Sequence, residues 1–295
     1  MRRPEVSEIK VALVTGASRG AGAGIARALG AHGMTVYVTG RTVEPGDAKA
    51  WDGSVLPGTV AETAAAVTAA GGKGVAVLCD HSDDERVAAV FEQIRREQGR
   101  LDLLVNNATY MHPQLIEQKP FWQKDISACE ILNVGLRSAY IASWHAAQMM
   151  VEQGRGLIAF GSSFGASCYM HGPAYGAQKA GLDKFAHDMA VDLRGSGVNT
   201  LSVWMGPLKT ERAAVASKVN PAQYEAFSKT AESPEFTGHI LYALATSNQA
   251  EALSGHTVIG AELARELGVT DEGSVRPSYR ETLGEPPKPN PAVVY

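Results

Sequence analysis

The chain has 295 residues, of which 45% are hydrophobic and 20% are charged, and its formal net charge is -4. Because no basic cluster accompanies this slightly acidic balance, nothing in it indicates a nucleic-acid-binding protein, and no apolar run is long enough to span a bilayer. The opening Met-Arg-Arg-Pro is not followed by an apolar signal segment, so we expect a cytoplasmic protein.

Short runs rich in Val and Leu alternate with helical stretches over most of the chain, which predicts one layered α/β domain. Strands are predicted near residues 10–15, 35–39, 74–78, 101–105, 156–160, 198–203 and 256–259. Credible helices separate these strands, except the last two. The order predicts a doubly wound Rossmann fold, with a parallel seven-stranded sheet and helices on both faces.

Irregular stretches interrupt the alternation. Pro-Gly segments between Gly40 and Thr59 predict a long loop beside the second strand. Residues 206–233 are predicted to form an irregular substrate lid before the last helices, and the single domain is predicted to cover residues 1–270. The remainder, 271–295, is predicted to be an extended tail, and its proline-rich end from Pro286 to Pro291 is predicted to be extended or poorly ordered.

A glycine-rich loop, Thr15-Gly-Ala-Ser-Arg-Gly-Ala-Gly22, lies between the first predicted strand and an amphipathic helix. Glycines allow positive φ and close backbone approach, and the free N–H groups at a helix start attract a pyrophosphate. The spacing departs from the usual Gly-x-Gly-x-x-Gly, and no Gly-Lys-Ser/Thr follows to indicate a nucleotide triphosphatase. The loop predicts a dinucleotide phosphate site, and a turn without function is the alternative.

Tyr175-Gly-Ala-Gln-Lys179 places a phenol and an ammonium four residues apart on one face of a predicted helix. A nearby cation favours the phenolate, and bringing a tyrosine pKa from about 10 toward neutrality needs roughly 4 kcal/mol. We therefore predict an acid/base suited to reducing a carbonyl near neutral pH. The alternative is an exposed helix with an idle pair of side chains.

In order along roughly the first 210 positions, these motifs resemble the short-chain dehydrogenase/reductase superfamily. The residues that carry the resemblance are the glycine loop, Asp80, Asn106-Asn-Ala108, Asn133, Gly161-Ser-Ser163 and Tyr175 to Lys179. Three further segments are most similar to the dehydrogenase/reductase member 1 group: Phe121-Trp122, Asn133-Val-Gly-Leu-Arg137 and Ser233-Pro-Glu-Phe236. The resemblance implies an oxidoreductase of the carbonyl reductase type that forms a homo-oligomer, a dimer or a tetramer.

The end of the second predicted strand, Thr39-Gly-Arg41, bears on the choice of cofactor. An acidic residue there would bind the ribose 2'-hydroxyl, whereas Arg41 and Arg19 offer planar donors for a 2'-phosphate. We predict NADP(H); two solvent-facing arginines are the alternative. The predicted cofactor-binding residues are Gly16, Ser18, Arg19, Gly20, Ala21, Gly22, Arg41, Asp80, His81, Asn106, Ala108, Tyr175, Lys179, Leu208 and Thr210.

Several of these roles are implied by the resemblance alone. Asp80 would accept a hydrogen bond from the adenine amino group, assisted by the His81 backbone, although Asp80 could instead cap the predicted helix 83–97. Asn106 and Ala108 follow the fourth predicted strand, at the edge where ligands bind.

Two segments depart from the family pattern. Thr109 replaces a glycine and adds a Cβ near the nicotinamide ribose. After the sixth strand, Met205 stands where the family has proline, and Pro207 appears two positions later. The Leu208 backbone and Thr210 would still reach the carboxamide and the phosphates.

Asn133 lies in a predicted helix from Ile126 to Val151, where asparagine has mediocre propensity. The resemblance implies that this position opens the helix, so that a backbone carbonyl holds a water linking Lys179 to solvent. A solvent-facing asparagine is the alternative.

Of two adjacent serines, Ser162 lies thirteen positions before Tyr175, the family's usual separation, and Ser163 lies twelve before it. We predict that Ser162 and Tyr175 bind the substrate oxygen, Ser162 stabilising the charge that develops there. Gly161-Ser-Ser-Phe-Gly165 also matches the nucleophile elbow of serine hydrolases, with Ser163 as nucleophile. The segment that follows is a poor helix start, which disfavours a hydrolase.

The substrate is predicted to be a hydrophobic ketone or aldehyde, or the corresponding alcohol. Apolar residues near the carboxyl edge could line its pocket or simply pack in the core: Tyr110, Met111, Phe121, Trp122, Phe164, Tyr169, Met170 and Met205. A protein that binds NADP(H) without turnover is a further alternative. The three cysteines, Cys79, Cys129 and Cys168, are scattered, so buried thiols are expected and neither disulfides nor a metal site.

Overall fold

The computed structural model describes residues 10–50, 52–219 and 221–295. Within them the centre is a seven-stranded sheet with the order β3-β2-β1-β4-β5-β6-β7. Its strands are β1 (Val11–Val14), β2 (Thr35–Gly40), β3 (Lys73–Leu78), β4 (Leu103–Asn106), β5 (Gly156–Ser163), β6 (Val198–Met205) and β7 (His256–Ile259). Every pairing is parallel. The predicted fold is confirmed, and the order reverses between β1 and β4, where such sheets bind ligands.

Helices cover both faces of the sheet. In chain order they are α1 (Gly20–Ala31), α2 (Val60–Ala69), α3 (Asp84–Gln98), α4 (Ser138–Gln153), α5 (Pro173–Asp192), α6 (Glu211–Val219), α7 (Pro221–Ser228), α8 (Phe236–Ala245), α9 (Gly260–Leu267) and α10 (Arg280–Leu283). On one face Ile25 of α1 and Ile240 of α8 pack with Val14, and all three are fully buried. On the other, Ile94 of α3 and Leu182 of α5 belong to the second buried cluster.

The cap of α3 resolves one alternative left open by the sequence. Asp83 accepts hydrogen bonds from the backbone N–H groups of Glu85 and Arg86, at 3.0 and 3.2 Å. Gly99 ends the helix with φ +66°, a left-handed conformation that favours glycine. The cap is therefore Asp83, and the interpretation of Asp80 as the helix cap is wrong.

The predicted helix 126–151 is not continuous. A 3₁₀ turn covers Ile126–Cys129, a wide helical turn covers Leu132–Arg137, and α4 follows from Ser138. The backbone leaves helical geometry at Val134 and Gly135, where Gly135 has φ +149°. Tertiary contact supports the break, since the N–H of Tyr110 donates to the Val134 carbonyl at 2.7 Å.

Residues 206–233 are more regular than predicted, because α6 and α7 form within them. The expected boundary at residue 271 also differs from the structure. Asp271 is 2% exposed and accepts hydrogen bonds from the N–H of Ser233 at 2.8 Å and from Nε of Arg276 at 2.6 Å. Tyr279 packs edge-on against Phe164, with ring centroids 6.1 Å apart. Only after α10, from Gly284 onward, does the chain lack helix and strand to its end.

The expectation of buried thiols needs one correction. Cys79 is buried and Cys168 is half-buried, whereas Cys129 is exposed. Among the described residues, none of the helices combines the length and the apolar content that crossing a bilayer requires.

Candidate active site

A crevice of about 350 Å³ lies at the carboxyl ends of the central strands, where the sheet order reverses. Most of the predicted cofactor residues line it: Gly16, Ser18, Arg19, Gly20, Ala21, Gly22, Arg41, His81, Ala108, Lys179, Leu208 and Thr210. The fold thus brings together segments that are far apart in the sequence.

The glycine loop lies flat against the end of β4. Gly16 and Gly20 have φ of +64° and +57°, and a Cβ on Gly16 would overlap the backbone of Ala108. Oγ1 of Thr15 accepts hydrogen bonds from the N–H groups of Asn107 and Ala108, each at 3.0 Å. This close approach keeps the loop backbone bare, as phosphate binding by N–H groups requires.

The two asparagines after β4 have different environments. The Asn106 side chain is buried and donates to Oγ of Ser143 at 2.9 Å, so it does not face the crevice as predicted. Asn107 lines the crevice, and its Nδ2 donates to the carbonyls of Thr15 and Gly16 at 2.9 and 3.0 Å. Asn107 therefore holds the glycine loop, a role that the sequence analysis missed although the Asn-Asn pair is visible there.

Arg19 and Arg41 differ in how firmly they are held. Nε and Nη2 of Arg19 donate to the carbonyls of Pro57 and Gly58, at 3.0 and 2.6 Å. The Arg41 side chain is 60% exposed and lies 3.9 Å from a carboxylate oxygen of Asp80. The long loop after β2 therefore anchors Arg19, while Arg41 faces solvent at the rim of the crevice.

Asp80 and His81 follow β3 with different orientations. Oδ1 of Asp80 accepts from the N–H and Oγ of Ser82, at 2.9 and 2.7 Å, and Asp80 does not line the crevice. Nε2 of His81 lies 2.9 Å from Oγ1 of Thr39, and burial lowers the pKa of His81 to about 4. The histidine is neutral near pH ~7.

A third arginine lines the crevice and was not predicted. Arg212 stands at the start of α6, in the stretch that the sequence analysis described as an irregular lid. The nearest signal was its position two residues after Thr210.

Tyr175 and Ser163 form the centre of the candidate catalytic site. The Tyr175 hydroxyl lies 2.9 Å from Oγ of Ser163. Nζ of Lys179 donates to the Gly161 carbonyl at 2.9 Å and lies 5.5 Å from the centre of the Tyr175 ring. The helical spacing thus brings the phenol and the ammonium together, with the ammonium against the ring face.

The expected acidic tyrosine is not found. Burial raises the pKa of Tyr175, and the hydrogen bond with Ser163 opposes that rise only in part. Burial also lowers the pKa of Lys179 to about 8, against the carboxylate of Asp183, which raises it. The prediction of a lowered Tyr175 pKa is therefore wrong for this arrangement, because desolvation is the largest influence on it and raises it.

Ser162 is not the serine beside the tyrosine, which corrects the sequence-based choice. It is 0% exposed, and its Oγ donates to the Lys179 carbonyl at 3.2 Å. It also hydrogen-bonds Asp183, which accepts from Oγ of Ser202 and Nε1 of Trp204 at 2.6 and 2.8 Å. Because adjacent residues of a strand face opposite ways, Ser162 supports the sheet while Ser163 faces Tyr175.

Among the described residues, no hydrogen bond joins Asn133 to Lys179. Its Nδ2 donates to a carboxylate oxygen of Glu130 at 3.3 Å, and its carbonyl accepts from the N–H of Ser138. The helix does open next to it, at Gly135, whose carbonyl accepts from Nε2 of Gln178 at 3.2 Å. The predicted proton relay through Asn133 therefore remains an expectation without a contact that supports it.

The predicted apolar pocket is only partly assembled. Tyr110, Met111 and Met205 line the crevice. Phe164 lies in the core, 5.1 Å from Trp204 by ring centroids. Phe121, Trp122 and Tyr169 are exposed, at 63%, 70% and 81%, and do not line the crevice.

His171 is a neighbour of Tyr175 that the sequence analysis missed. Their rings meet edge to face, with centroids 5.1 Å apart. His171 has φ +59°, a strained conformation for a residue other than glycine, and such strain is common at functional sites. Burial, together with the Lys124 ammonium, lowers the pKa of His171 to about 4.

The backbone at Ser163 does not fit a nucleophile elbow. Its φ and ψ, -161° and 171°, are ordinary extended values, and a 3₁₀ turn at Phe164–Ala166 follows instead of an α-helix. The elbow of a serine hydrolase needs a strained turn at the nucleophile and an immediate helix. This geometry argues against the hydrolase hypothesis.

Comparison with known proteins gives consistent matches. Residues 10–220 match the model of a family described as short chain dehydrogenase. The chain is 40% identical over 274 residues to dehydrogenase/reductase SDR family member 1 of Mus musculus. The aligned region covers 89% of this chain and 83% of the relative. The protein of the same name from Homo sapiens is 39% identical, with the same coverage. A short chain dehydrogenase structure from Mycobacterium thermoresistibile superposes with a TM-score of 0.73 at 23% identity, covering 90% of both chains.

Proposed function

The chain belongs to the short-chain dehydrogenase family, and we propose that it is an NADP(H)-dependent oxidoreductase that reduces a hydrophobic ketone or aldehyde or oxidises the corresponding alcohol. The observation that carries this proposal is the pair of hydroxyls of Ser163 and Tyr175, 2.9 Å apart. Lys179, on the same helix as the tyrosine, also lines the crevice of the glycine loop. Two hydroxyls at this distance can both donate hydrogen bonds to one carbonyl oxygen.

The chemistry follows from the roles of these groups. Bound NADPH supplies the hydride that adds to the carbonyl carbon. Ser163 donates a hydrogen bond to the substrate oxygen and stabilises the charge that develops on it. Tyr175 donates its proton to that oxygen, which becomes the alcohol hydroxyl. A tyrosine whose pKa is raised by burial carries its proton near neutral pH.

Lys179 has a supporting role in this scheme. Its ammonium is 5.5 Å from the centre of the tyrosine ring and stabilises the phenolate left after proton transfer. A lysine pKa of about 8 keeps the group largely charged near neutral pH. In alcohol oxidation the same groups act in the reverse order.

The residues of the crevice fit a dinucleotide. A Cβ on Gly16 or Gly22 would collide with the segment after β4, so only glycine lets the loop pack there, and both glycines line the crevice where phosphates would bind. Arg41 directly follows β2 and lines the crevice with Arg19, which supports a 2'-phosphate and therefore NADP(H) over NAD(H). Asp80, the nearby acid, lies against Arg41 and does not line the crevice.

Tyr110, Met111 and Met205 offer apolar surface within the crevice, which suits a hydrophobic carbonyl compound.

We also propose a homo-oligomer, a dimer or a tetramer, because Tyr140 and Trp144 of α4 are 47% and 55% exposed. Light scattering on the purified chain tests the assembly.

The proposed function is tested by following the loss of NADPH absorbance with a panel of aromatic, alicyclic and aliphatic ketones and aldehydes. We expect turnover with some hydrophobic members and a clear preference for NADPH over NADH. Binding of NADPH without turnover of any carbonyl or alcohol would favour the catalytically silent alternative. A preference for NADH would contradict the argument from the arginines.

A further inference from the structure

Arg212 is half-buried and lines the cofactor crevice together with Arg19 and Arg41. It is the second residue of α6, which follows β6 and the segment from Gly206 to Thr210. Within the part of the chain that the structure describes, its guanidinium makes no hydrogen bond and no ion pair within 4 Å. A partly buried arginine without a partner is uncommon, because burial of its charge is unfavourable unless an anion is near.

The other two arginines have contacts of their own. Arg19 donates to the Pro57 and Gly58 carbonyls, which use two of its nitrogens. Arg41 lies beside Asp80 and is mostly exposed. Among the described residues, Arg212 is thus the one of the three arginines whose guanidinium has neither a hydrogen bond nor an ion pair within 4 Å, and all its donors are available to a ligand.

The position of Arg212 is set by the contact of its segment with the glycine loop. A Cβ placed on Gly20 would lie 3.7 Å from Cγ2 of Thr210, so Thr210 packs over that loop. Oγ1 of Thr210 also accepts from the N–H of Ala213 at 3.2 Å, which begins α6 there. The start of the helix is therefore held above the place where the loop N–H groups face the crevice.

Electrostatics point in the same direction. Burial, joined by the charges of Arg19 and Arg41 and opposed by Glu211, lowers the pKa of Arg212 to about 10. The side chain stays charged at neutral pH, so three guanidiniums repel one another around one crevice. Binding of a phosphate there would relieve that repulsion and give the Arg212 guanidinium the hydrogen bonds that it lacks in the folded protein.

We propose that Arg212 binds a phosphate of the dinucleotide, so that α6 contributes a ligand contact opposite the glycine loop. This proposal rests on the proposed use of NADP(H) and adds a phosphate-binding residue to it. The planar guanidinium suits either the 2'-phosphate or the pyrophosphate, since both present paired oxygens. The two sources are separated by the cofactors used in the test.

The test compares Arg212→Gln with Lys218→Gln, which removes the same charge from an exposed position of the same helix. Dissociation constants for NADPH and NADH are measured by titration calorimetry, with far-UV circular dichroism as a check of folding. We expect Arg212→Gln to weaken NADPH binding by about tenfold or more, which corresponds to at least ~1.4 kcal/mol, and Lys218→Gln to change it less than about twofold. Arg212→Lys keeps the charge without the planar fork, and we expect an intermediate loss.

The outcomes are distinct. A loss confined to NADPH supports contact with the 2'-phosphate, and an equal loss for NADH supports contact with the pyrophosphate. This inference would be refuted, and the proposed function left intact, if the variants Arg212→Gln and Arg212→Lys both bound each cofactor as tightly as the unaltered protein does. If the unaltered chain bound neither cofactor, the proposed function would fail together with it.

Discussion

Oγ of Ser163 lies 2.9 Å from the hydroxyl oxygen of Tyr175, and the neighbouring Ser162 hydroxyl points instead to the Lys179 carbonyl. One serine is thus placed to share a ligand oxygen with the tyrosine, and the other ties β5 to α5. The distinction assigns different consequences to two substitutions that differ by one position.

We expect Ser163→Ala to lower kcat by about 10²–10³-fold, because it removes a donor to the developing oxyanion. Ser162→Ala should keep the rate within several-fold and lower the free energy of unfolding by about 1 kcal/mol, because it removes a buried hydrogen bond. Steady-state kinetics and urea denaturation of both variants measure the two effects. The reverse pattern would return the catalytic role to Ser162.

Tyr175→Phe should lower kcat by about 10²–10⁴-fold while leaving the dissociation constant of NADPH nearly unchanged, since only the proton donor is removed. Single-turnover reduction and cofactor titration measure these separately. A Phe variant that turns over at an unaltered rate would refute the acid/base role of the tyrosine.

The pH dependence of turnover should report Lys179. Its pKa is about 8, so reduction should decline as the pH rises through that value and the ammonium is lost. Asp183 raises the pKa of Lys179, and Asp183→Asn should therefore move the decline to lower pH. Asp188→Asn, an exposed position of the same helix that pairs with Lys184, is the control. Coincident kcat/KM profiles for all three proteins would contradict the assignment.

Glu232→Gln should stabilise the protein in mildly alkaline solution. Glu232 is 2% exposed, and burial raises its pKa to about 8 from 4.5, so the folded state retains a proton that the unfolded state has lost. The contribution of the Glu232 carboxyl to the free energy of unfolding is fully present below pH 4.5 and is lost as the pH rises toward 8. We expect the free energy of unfolding of the variant to exceed that of the unaltered protein by about 1–2 kcal/mol near pH 8 and to match it near pH 4.5.

The contrasting variant is Glu262→Gln. The hydrogen bond with Arg280 lowers the pKa of Glu262, so this replacement should not stabilise the protein at any pH between those limits. Thermal unfolding of both variants across the pH range measures the difference. Equal behaviour of the two variants would show that the buried carboxylate of Glu232 carries no such effect.

Gly58→Ala should weaken cofactor binding. Gly58 has φ +98°, and a Cβ there would overlap the Ser18 carbonyl in the glycine loop. Gly46→Ala, in the same long loop with φ +101° and open space around it, carries the backbone strain without the contact. We expect both variants to lose about 1 kcal/mol of stability, and only Gly58→Ala to raise the NADPH dissociation constant. A similar rise in Gly46→Ala would assign the effect to strain alone.

The strands were predictable because most are short apolar runs, the central ones with both faces covered, and this pattern is local. All seven predicted strands lie within a few residues of those in the described structure. The opening of the helix beside Asn133 was implied by the resemblance, but no local pattern places the break at Val134 and Gly135, because it depends on contacts with Tyr110 and Gln178, which are distant in the sequence.

The candidate site was predictable in its residue types and less so in its geometry. The motifs identified Tyr175, Lys179 and the glycine loop, but a spacing of twelve or thirteen residues does not tell which serine faces the tyrosine. The direction of the Tyr175 pKa shift depends on burial, and the position of Arg212 depends on how α6 packs over the loop. Both are properties of the folded chain and leave no local pattern.

The alternating faces of β5 have an evolutionary implication. Inserting or deleting one residue inside this strand would exchange the environments of Ser162 and Ser163 and turn the neighbouring apolar side chains the wrong way as well. Because most side chains of β5 are buried and its length fixes which way each of them faces, we expect natural variants of this protein to place their length changes in the loop after β2 or beyond Gly284.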